Sequence, residues 1–320
     1  MSILITGGTG FIGAEIARVL HERGSGPLHL AHRSSNFDRL GPLADSAHLH
    51  QVDLADTEAV AALIQTVRPR QLFHFGAMLT GPGEADPQGL LQANAIGVMR
   101  LFEEARLAGT EQIIFASSIG TYGRDLGPGA VTDLSLQRPN TIYGVTKVFA
   151  ENLGAYYRTR YGLDFRGLRY PSIVGPGVTT KSLAQYTSWM IEHAAKGQPF
   201  TVWTSRETVI PLLYYKDAAM AALDLAAAPN ESIKAINYLV DGLQPTPNAG
   251  QLAEAVLARI PGAELTFEPD PAAALSLSRN LIIDDTTARD EWGWRPHFDL
   301  DQMIDDFLAE VARSAAIGQA

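Results

Sequence analysis

Apolar residues recur along this chain in two alternating rhythms. Ile3 to Thr6 form a short, mostly apolar run and predict a buried strand. Across residues 11–23, Ile12, Ile16, Val19 and Leu20 return at helical spacing and predict a helix. The alternation continues with strands about Pro27 to Ala31 and Leu49 to Val52, then a helix capped by Asp56 that stops before Pro69. A strand over Gln71 to Phe75, a long helix over 88–108, a strand over Gln112 to Ala116, a helix over 143–161 and a strand around Phe165 to Leu168 complete the regular part. Strands and helices alternating through short loops predict right-handed crossovers and a parallel sheet covered on both faces. Beyond Gly175 the order is less regular. Helical patterns near 182–196, 215–227 and 247–259 mix with strands near 235–240 and 264–268. The expectation is an α/β chain whose doubly wound parallel sheet takes residues 1–170 with a return segment about 201–240. Residues 171–200 and 241–320 form a smaller α/β lobe over the sheet's C-terminal edge.

One turn gives this pattern a chemical meaning. Gly7-Gly8-Thr9-Gly10-Phe11-Ile12-Gly13 directly follows the first strand and opens the first helix. Gly7 suits a tight turn, Gly10 lets backbone approach a pyrophosphate, and Gly13 lets helix and strand pack closely. The helix N-terminus around Phe11 and Ile12 offers free N–H groups and the positive end of its dipole to phosphates. This strand–turn–helix context favours a dinucleotide-binding turn over a glycine-rich connector. At the end of the second strand an acid would accept from the ribose 2′-hydroxyl of NAD. Leu30-Ala31-His32-Arg33-Ser34-Ser35 holds none. Arg33 either pairs with a 2′-phosphate, helped by Ser34 or Ser35, or is a solvated surface arginine. NADP is thereby favoured over NAD. Asp53, with Leu54 after the third strand, either accepts from an adenine amino group or caps its own loop.

The candidate chemistry lies in Tyr143-Gly144-Val145-Thr146-Lys147. Tyr143 and Lys147, at i and i+4, share one helix face. A free tyrosine titrates near ~10, too high for an efficient acid or base at neutral pH. A neighbouring ammonium and an oxidised nicotinamide both favour the phenolate, so the expectation is a lowered value. Tyr143 would then take a proton from an alcohol, or return one during reduction. Ser117-Ser118 end the fifth strand, at the edge where open α/β sheets hold ligands. A hydroxyl there either orients a substrate oxygen or caps its loop.

Composition narrows the function classes. Hydrophobic residues make up 46% of the 320 and charged residues 19%, as in an ordinary globular protein. A net charge of −10 opposes binding to nucleic acid or anionic membrane, so neither is expected as a partner. With no cysteine, thiolate metal sites, disulfides and cysteine nucleophiles are excluded, which fits a reducing cytoplasm. The first strand begins at about Ser2, so no signal peptide is expected, and no apolar run approaches the ~20 residues that span a bilayer. His48 and His50 share a strand face without an evident third ligand; no metal is expected.

Several segments together resemble the extended short-chain dehydrogenase/reductases, the NAD-dependent epimerase/dehydratase family. They are Gly7 to Gly13, His74-Phe75-Gly76-Ala77, Asn94, Ser117-Ser118 with Tyr122-Gly123, Tyr143 to Lys147, and Leu168-Arg169-Tyr170-Pro171, in the family's order. The resemblance implies a Rossmann-type sheet, a nicotinamide cofactor and a catalytic triad of Ser118, Tyr143 and Lys147. It implies that Lys147 also holds the nicotinamide ribose. Phe75, Gly76 and Ala77 would line the adenosine side, and the backbone from Tyr170 to Ile173 the nicotinamide side. Thr80, Ser118 and Tyr143 are the candidate substrate contacts. Pairing of the helices 88–108 and 143–161 across a two-fold axis, giving a homodimer, is also implied.

Within that branch the chain is most similar to short-chain-type L-threonine 3-dehydrogenases. The similar stretches are Arg138 to Gly144, Tyr161 to Pro171, and Asp284-Asp285 through Ala288-Arg289 to Trp292-Gly293-Trp294. The expected function is hydride transfer between the nicotinamide and a small hydroxy or keto compound. Two departures bear on the substrate. Those enzymes have an acid after the second strand and a Thr-Thr-Asp-Tyr segment near the substrate. Here Ala31-His32-Arg33 replaces the first; Thr179-Thr180-Lys181 or Leu183-Ala184-Gln185-Tyr186 replaces the second, and neither keeps the Asp. The downstream helix favours the second placement. Lys181 either attracts an acidic substrate or is a solvated lysine. An alternative is a nucleotide-sugar 4-epimerase on the same fold. Ile210 stands where such enzymes place a diphosphate-binding arginine, with Arg206 as a nearby substitute. A second alternative is a dinucleotide-binding sensor or scaffold without turnover. Trp203, Trp292 and Trp294 are read as packing residues.

Overall fold

The computed structural model describes residues 2–34, 36–127, 129–180, 182–271 and 281–317. Its strands are β1 (Ile3–Thr6), β2 (Leu28–His32), β3 (His48–Gln51), β4 (Gln71–His74), β5 (Gln112–Ser118), β6 (Asp164–Tyr170), β7 (Ser172–Val174), β8 (Phe200–Val202), β9 (Leu212–Tyr214), β10 (Asn237–Leu239) and β11 (Leu265–Phe267). Seven of them form a parallel sheet in the order β10-β6-β5-β4-β1-β2-β3. Order reverses beside β1, between it and β4, which is where open sheets of this kind hold ligands.

The helices are α1 (Phe11–Glu22), α2 (Thr57–Val67), α3 (Thr80–Ala85), α4 (Pro87–Leu91), α5 (Val98–Ala108), α6 (Ile142–Tyr161), α7 (Tyr186–Ala195), α8 (Tyr215–Ala227), α9 (Ala249–Arg259), α10 (Thr286–Trp292) and α11 (Leu300–Ile317). Strand residues alternate between two cores, as the pleat requires. Ile3, Ile5, Leu28 and Leu30 pack with α1 and α8. Leu4, Leu72, Ile113 and Phe115 pack with α2, α5 and α6. Burial on both faces is why these strands read as continuous apolar runs. As expected, Asp56 caps α2, accepting from the backbone N–H groups of Glu58 and Ala59.

A third core belongs to the smaller lobe, where Tyr186, Met190, Leu252, Val256, Met303, Ile304 and Phe307 meet. There β7 pairs with β9 and β8 with β11. Within the expected return segment, β8 and β9 thus pair outside the main sheet. The chain rejoins it with α8, which packs on α1, and with β10, which pairs with β6.

The long helix expected over 88–108 is not regular. It runs from α4 through a π-helical segment, Gln92–Gly97, into α5. At Gly97 any Cβ would lie 2.0 Å from the Leu54 carbonyl oxygen, so the segment passes hard against the loop after β3. Its Asn94 side chain binds the backbone of Met78 both ways, at 2.8 Å each.

Candidate active site

The C-terminal ends of the central strands open into one cavity of about 660 Å³. The glycine turn forms part of its wall. Gly7 has φ +68°, and a Cβ there would meet the Gly76 nitrogen at 2.8 Å, so only glycine closes this turn. A Cβ on Gly13 would lie 2.3 Å from the Gly7 carbonyl oxygen. Gly10 caps α1 without a side chain, and no acid occupies the helix's first turn. Gly10, Phe11 and Ile12 line the cavity, so the first-turn N–H groups and the positive dipole end border it. The residues fit a dinucleotide: they offer a backbone cradle that admits no Cβ and an open helix N-terminus.

The other expected cofactor residues line the same cavity. Arg33 and Ser34 are exposed at its rim, with the Ser34 carbonyl held by His32 Nδ1 at 2.9 Å. Ser35 lies outside the described residues. Asp53 and Leu54 line the cavity after β3. Asp53 Oδ1 accepts from the Ala55 N–H at 2.9 Å, so it caps its loop while bordering the site. Phe75, Gly76 and Ala77 follow β4, Tyr170 ends β6, and Ile173 lies in β7. Below them His74 is fully buried with Nδ1 2.6 Å from the Thr6 hydroxyl; burial and the Lys147 charge push it down to about 3.

Ser118, Tyr143 and Lys147 come together at the middle of the cavity. Thr141 caps α6 by accepting from the Gly144 N–H at 3.1 Å, which sets Tyr143 in the first turn. Gly144 lets that turn reach the loop after β5; a Cβ on it would sit 2.2 Å from the Gly120 carbonyl. Sequence reasoning gave Gly144 no role. The Ser118 hydroxyl accepts from the Gly120 N–H at 3.0 Å and hydrogen-bonds the Tyr143 phenol. Lys147 donates to the Ala116 carbonyl at 2.6 Å, 5.4 Å from the centre of the Tyr143 ring.

Lys147 by itself does not give the lowering of Tyr143 expected from it together with an oxidised nicotinamide. Burial pushes the phenol up to about 12, and the Ser118 hydrogen bond pulls the other way. The Lys147 ammonium is spent on a backbone carbonyl rather than on the phenol oxygen, so it does not offset the lost hydration. Burial also pushes Lys147 down to about 8, against the Glu151 carboxylate, which raises it.

Behind the triad lies a fully buried ionic network that sequence reasoning missed. Arg169 grips Glu151 through Nε (3.0 Å) and Nη2 (2.7 Å). Glu151 also accepts from the Ser117 hydroxyl and from Gln137 Nε2 at 2.8 Å. Arg169 Nη1 reaches the Tyr122 hydroxyl at 2.9 Å and the Asp133 carbonyl at 2.8 Å. Of the two serines, Ser117 therefore joins β5 to α6 and Ser118 borders the phenol.

At the far end, Thr80 lines the cavity as expected. Both candidate stretches of the facing segment contribute, Thr180 from the first and Ala184 and Gln185 from the second. Lys181 lies outside the described residues. Arg39, also missed, donates to the Pro176 carbonyl at 3.0 Å and lies over the Phe11 ring. Arg206 pairs with Glu254 at 2.8 Å and covers Phe267, and neither it nor the buried Ile210 is part of the cavity lining. His29 joins His48 and His50 on their strand face, stacked on His48 and 3.0 Å from His50. Among the described residues no three His, Cys, Asp or Glu side chains converge to hold a metal ion.

Residues 3–240 match the NAD dependent epimerase/dehydratase family. The chain belongs to that family. It is 32% identical to the mitochondrial L-threonine 3-dehydrogenase of Bos taurus, over 99% of this chain and 84% of that protein. The structure of a GalE-like L-threonine dehydrogenase from Cupriavidus necator superposes with a TM-score of 0.86 at 27% identity, covering 97% of this chain and 99% of that one. A UDP-glucose 4-epimerase from Thermotoga maritima shares the fold with a TM-score of 0.86 at 23% identity, over 99% of this chain and 100% of that one. This member of the family is a nicotinamide-dependent oxidoreductase, resembling threonine dehydrogenases. Among the described residues no helix is long and apolar enough to cross a membrane.

Proposed function

We propose that this chain moves a hydride between a nicotinamide dinucleotide and a small hydroxy or keto compound, with Tyr143 as the acid/base. The observation that carries this is the meeting of Ser118, Tyr143 and Lys147 in the cavity that the glycine turn also lines. A bound nicotinamide accepts or donates the hydride. The chain does the rest. Gly7, Gly10 and the first turn of α1 hold the pyrophosphate, with Leu54, Asp53 and Phe75 to Ala77 on the adenosine side. Lys147 would hold the ribose of the nicotinamide, with Tyr170 and Ile173 lining the same cavity. Ser118 and Thr80 orient the substrate oxygen, and Tyr143 exchanges its proton. Ser118 favours the phenolate of Tyr143 through its hydrogen bond, and a bound oxidised nicotinamide would act in the same direction.

Arg33, at the rim with no acid at the end of β2, supports NADP over NAD. A diphosphate-bearing sugar is disfavoured because Arg206 is paired with Glu254 away from the cavity. Residues 1–170 with 215–240 are read as the dinucleotide-binding unit and the remainder as the substrate lobe, on the grounds that α8 and β10 serve the main sheet. Ile96, Met99, Val145, Phe149 and Tyr156 are exposed on the π segment, α5 and α6, an apolar patch that supports a homodimer. A monomer in sedimentation velocity at micromolar concentration would refute that assembly.

Tyr143→Phe tests the mechanism. Its kcat is expected to fall by about 10²–10⁴-fold while dinucleotide binding persists. Unchanged turnover removes Tyr143 from the chemistry, and dinucleotide binding without turnover of any hydroxy or keto compound by the unaltered chain would favour the sensor.

A further inference from the structure

The segment that leaves β7 is held from two sides at once. From the substrate lobe, α7 takes hold of it three times. Ser188 Oγ accepts from the Gly175 N–H at 3.2 Å, Glu192 Oε2 accepts from the Gly177 N–H at 2.9 Å, and Trp189 Nε1 donates to the Val178 carbonyl at 2.8 Å. From the dinucleotide side, Arg39 Nη2 donates to the Pro176 carbonyl at 3.0 Å and to the Gly177 carbonyl at 2.5 Å. Phe11 and Tyr215, stacked with centroids 5.2 Å apart, press on the same stretch. A Cβ on Gly175 would lie 2.4 Å from Phe11 Cζ and 2.6 Å from Tyr215 Cδ1. Just beyond, Val178 and Thr180 line the cavity.

Arg39 joins the two sides by charge. Its half-buried guanidinium lies 5.0 Å from the centre of the Phe11 ring and spends its Nη2 protons on neutral carbonyls. Glu192, a carboxylate whose charge reaches it, is already taken by the Gly177 N–H and by Lys196 Nζ at 2.6 Å. Both footings of the arginine border the dinucleotide end. Phe11 opens the first turn of α1, and the loop that carries Arg39 starts with Arg33 and Ser34 on the cavity rim. Phe37 anchors that loop by meeting the ring of His32, itself a cavity residue, edge to face at 5.0 Å. Leu40 and Leu43 anchor it again, buried with α1 and α8. A molecule that orders the rim and the first turn of α1 thereby orders the clasp, and a clasp on two carbonyls orders the backbone that follows.

We propose that Arg39 is a positioning residue, which carries occupancy of the dinucleotide end to Pro176 and Gly177 and so sets the wall that Val178 and Thr180 present to the substrate. This rests on the reading above that a dinucleotide occupies the glycine-turn end, though not on the chemistry of Tyr143. The substrate wall is then firm only when the dinucleotide is in place, and the dinucleotide binds first.

The test is hydrogen–deuterium exchange of the amides in 172–180, on the full chain with and without saturating NADPH. In the unaltered chain NADPH is expected to slow this exchange about tenfold. Arg39→Met is expected to lose most of that slowing, and Arg39→Lys, which can still donate to a carbonyl, to keep part of it. Linkage sets the matching loss of affinity: Arg39→Met should weaken NADPH and NADH by the same factor, at most about tenfold, as read by fluorescence titration. Should Arg39→Met bind neither, Arg39→Gln, which keeps donors without the charge, is read in the same way. An arginine that merely braces the lobe speeds exchange equally with and without NADPH and leaves their ratio unchanged; that result overturns the proposal. A loss of affinity confined to NADPH makes Arg39 a phosphate contact and overturns it too. NADPH binding without any slowing in the unaltered chain overturns the proposal and leaves the dinucleotide reading standing. Binding of neither dinucleotide by the unaltered chain overturns both.

Discussion

The two ends of the cavity are made of different material. The dinucleotide end is mostly backbone: the turn at Gly7, the open first turn of α1, and strand ends held in register by β1, β2 and β4. The substrate end is mostly side chains, namely Thr80, Ser118, Tyr143 and Gln185, carried by different elements and held by contacts distant in sequence. Backbone geometry tolerates few residue types, so the first end is constrained at every glycine. Side-chain surfaces can be exchanged without disturbing the sheet, so the second end is where one member of a family differs from another.

The sharpest way to break this contrast is Gly13→Val. A Cβ at 2.3 Å from the Gly7 carbonyl has no room, so loss of NADPH binding is expected even where the chain still folds. Retention of binding, followed by NADPH fluorescence, would show that the turn yields more than a backbone-built site should. Next in size is Glu151→Gln, which leaves Arg169 buried without its carboxylate. A loss of roughly 3–5 kcal/mol in urea unfolding is expected, because a buried charge is stranded. Lys147, deprived of the charge that raises it, then falls below about 8. Reductive activity needs its ammonium and declines as pH rises through that value, so the decline should shift to lower pH. A pH profile that stays in place would detach the network from the triad. The smallest effect expected is that of Arg33→Ala, the basic side chain at the rim of the dinucleotide end. The ratio of kcat/KM for NADP over NAD should fall about tenfold to 100-fold, the worth of a charge-assisted hydrogen bond. An unchanged ratio means that the rim arginine is solvated.

The same contrast explains what could be read in the chain beforehand. Ile3 to Thr6 and the glycines after it are local signals, and the structure places that strand and turn as expected. Tyr143 and Lys147 share a helix face, so their meeting needed only α6. β7, β8 and β9 were not expected, although β10 and β11, equally three residues long, were legible. The π segment escaped because one extra residue per turn barely alters apolar spacing. α3, with two glycines and a proline in six residues, carries almost no helical signal. Glu151 and Arg169 read as ordinary charged positions; only the fold shows them buried against each other. The rise of the Tyr143 phenol comes from burial, which is not a property of four-residue spacing. Gln185 stood in a segment with two possible placements, both of which the fold brings to the cavity wall.

The late return of α8 and β10 to the main sheet has a consequence for synthesis. By residue 200 a growing chain carries the whole glycine turn and all three triad residues. It does not yet carry Ala218, whose carbonyl takes the Tyr170 hydroxyl at 2.8 Å, or the small apolar face of α8 that covers α1. The chemistry is thus translated before its cover. A ribosome that stalls between the two exposes an apolar sheet face to chaperones and proteases, and a nascent chain completes its dinucleotide domain only once β10, ending at Leu239, has been made.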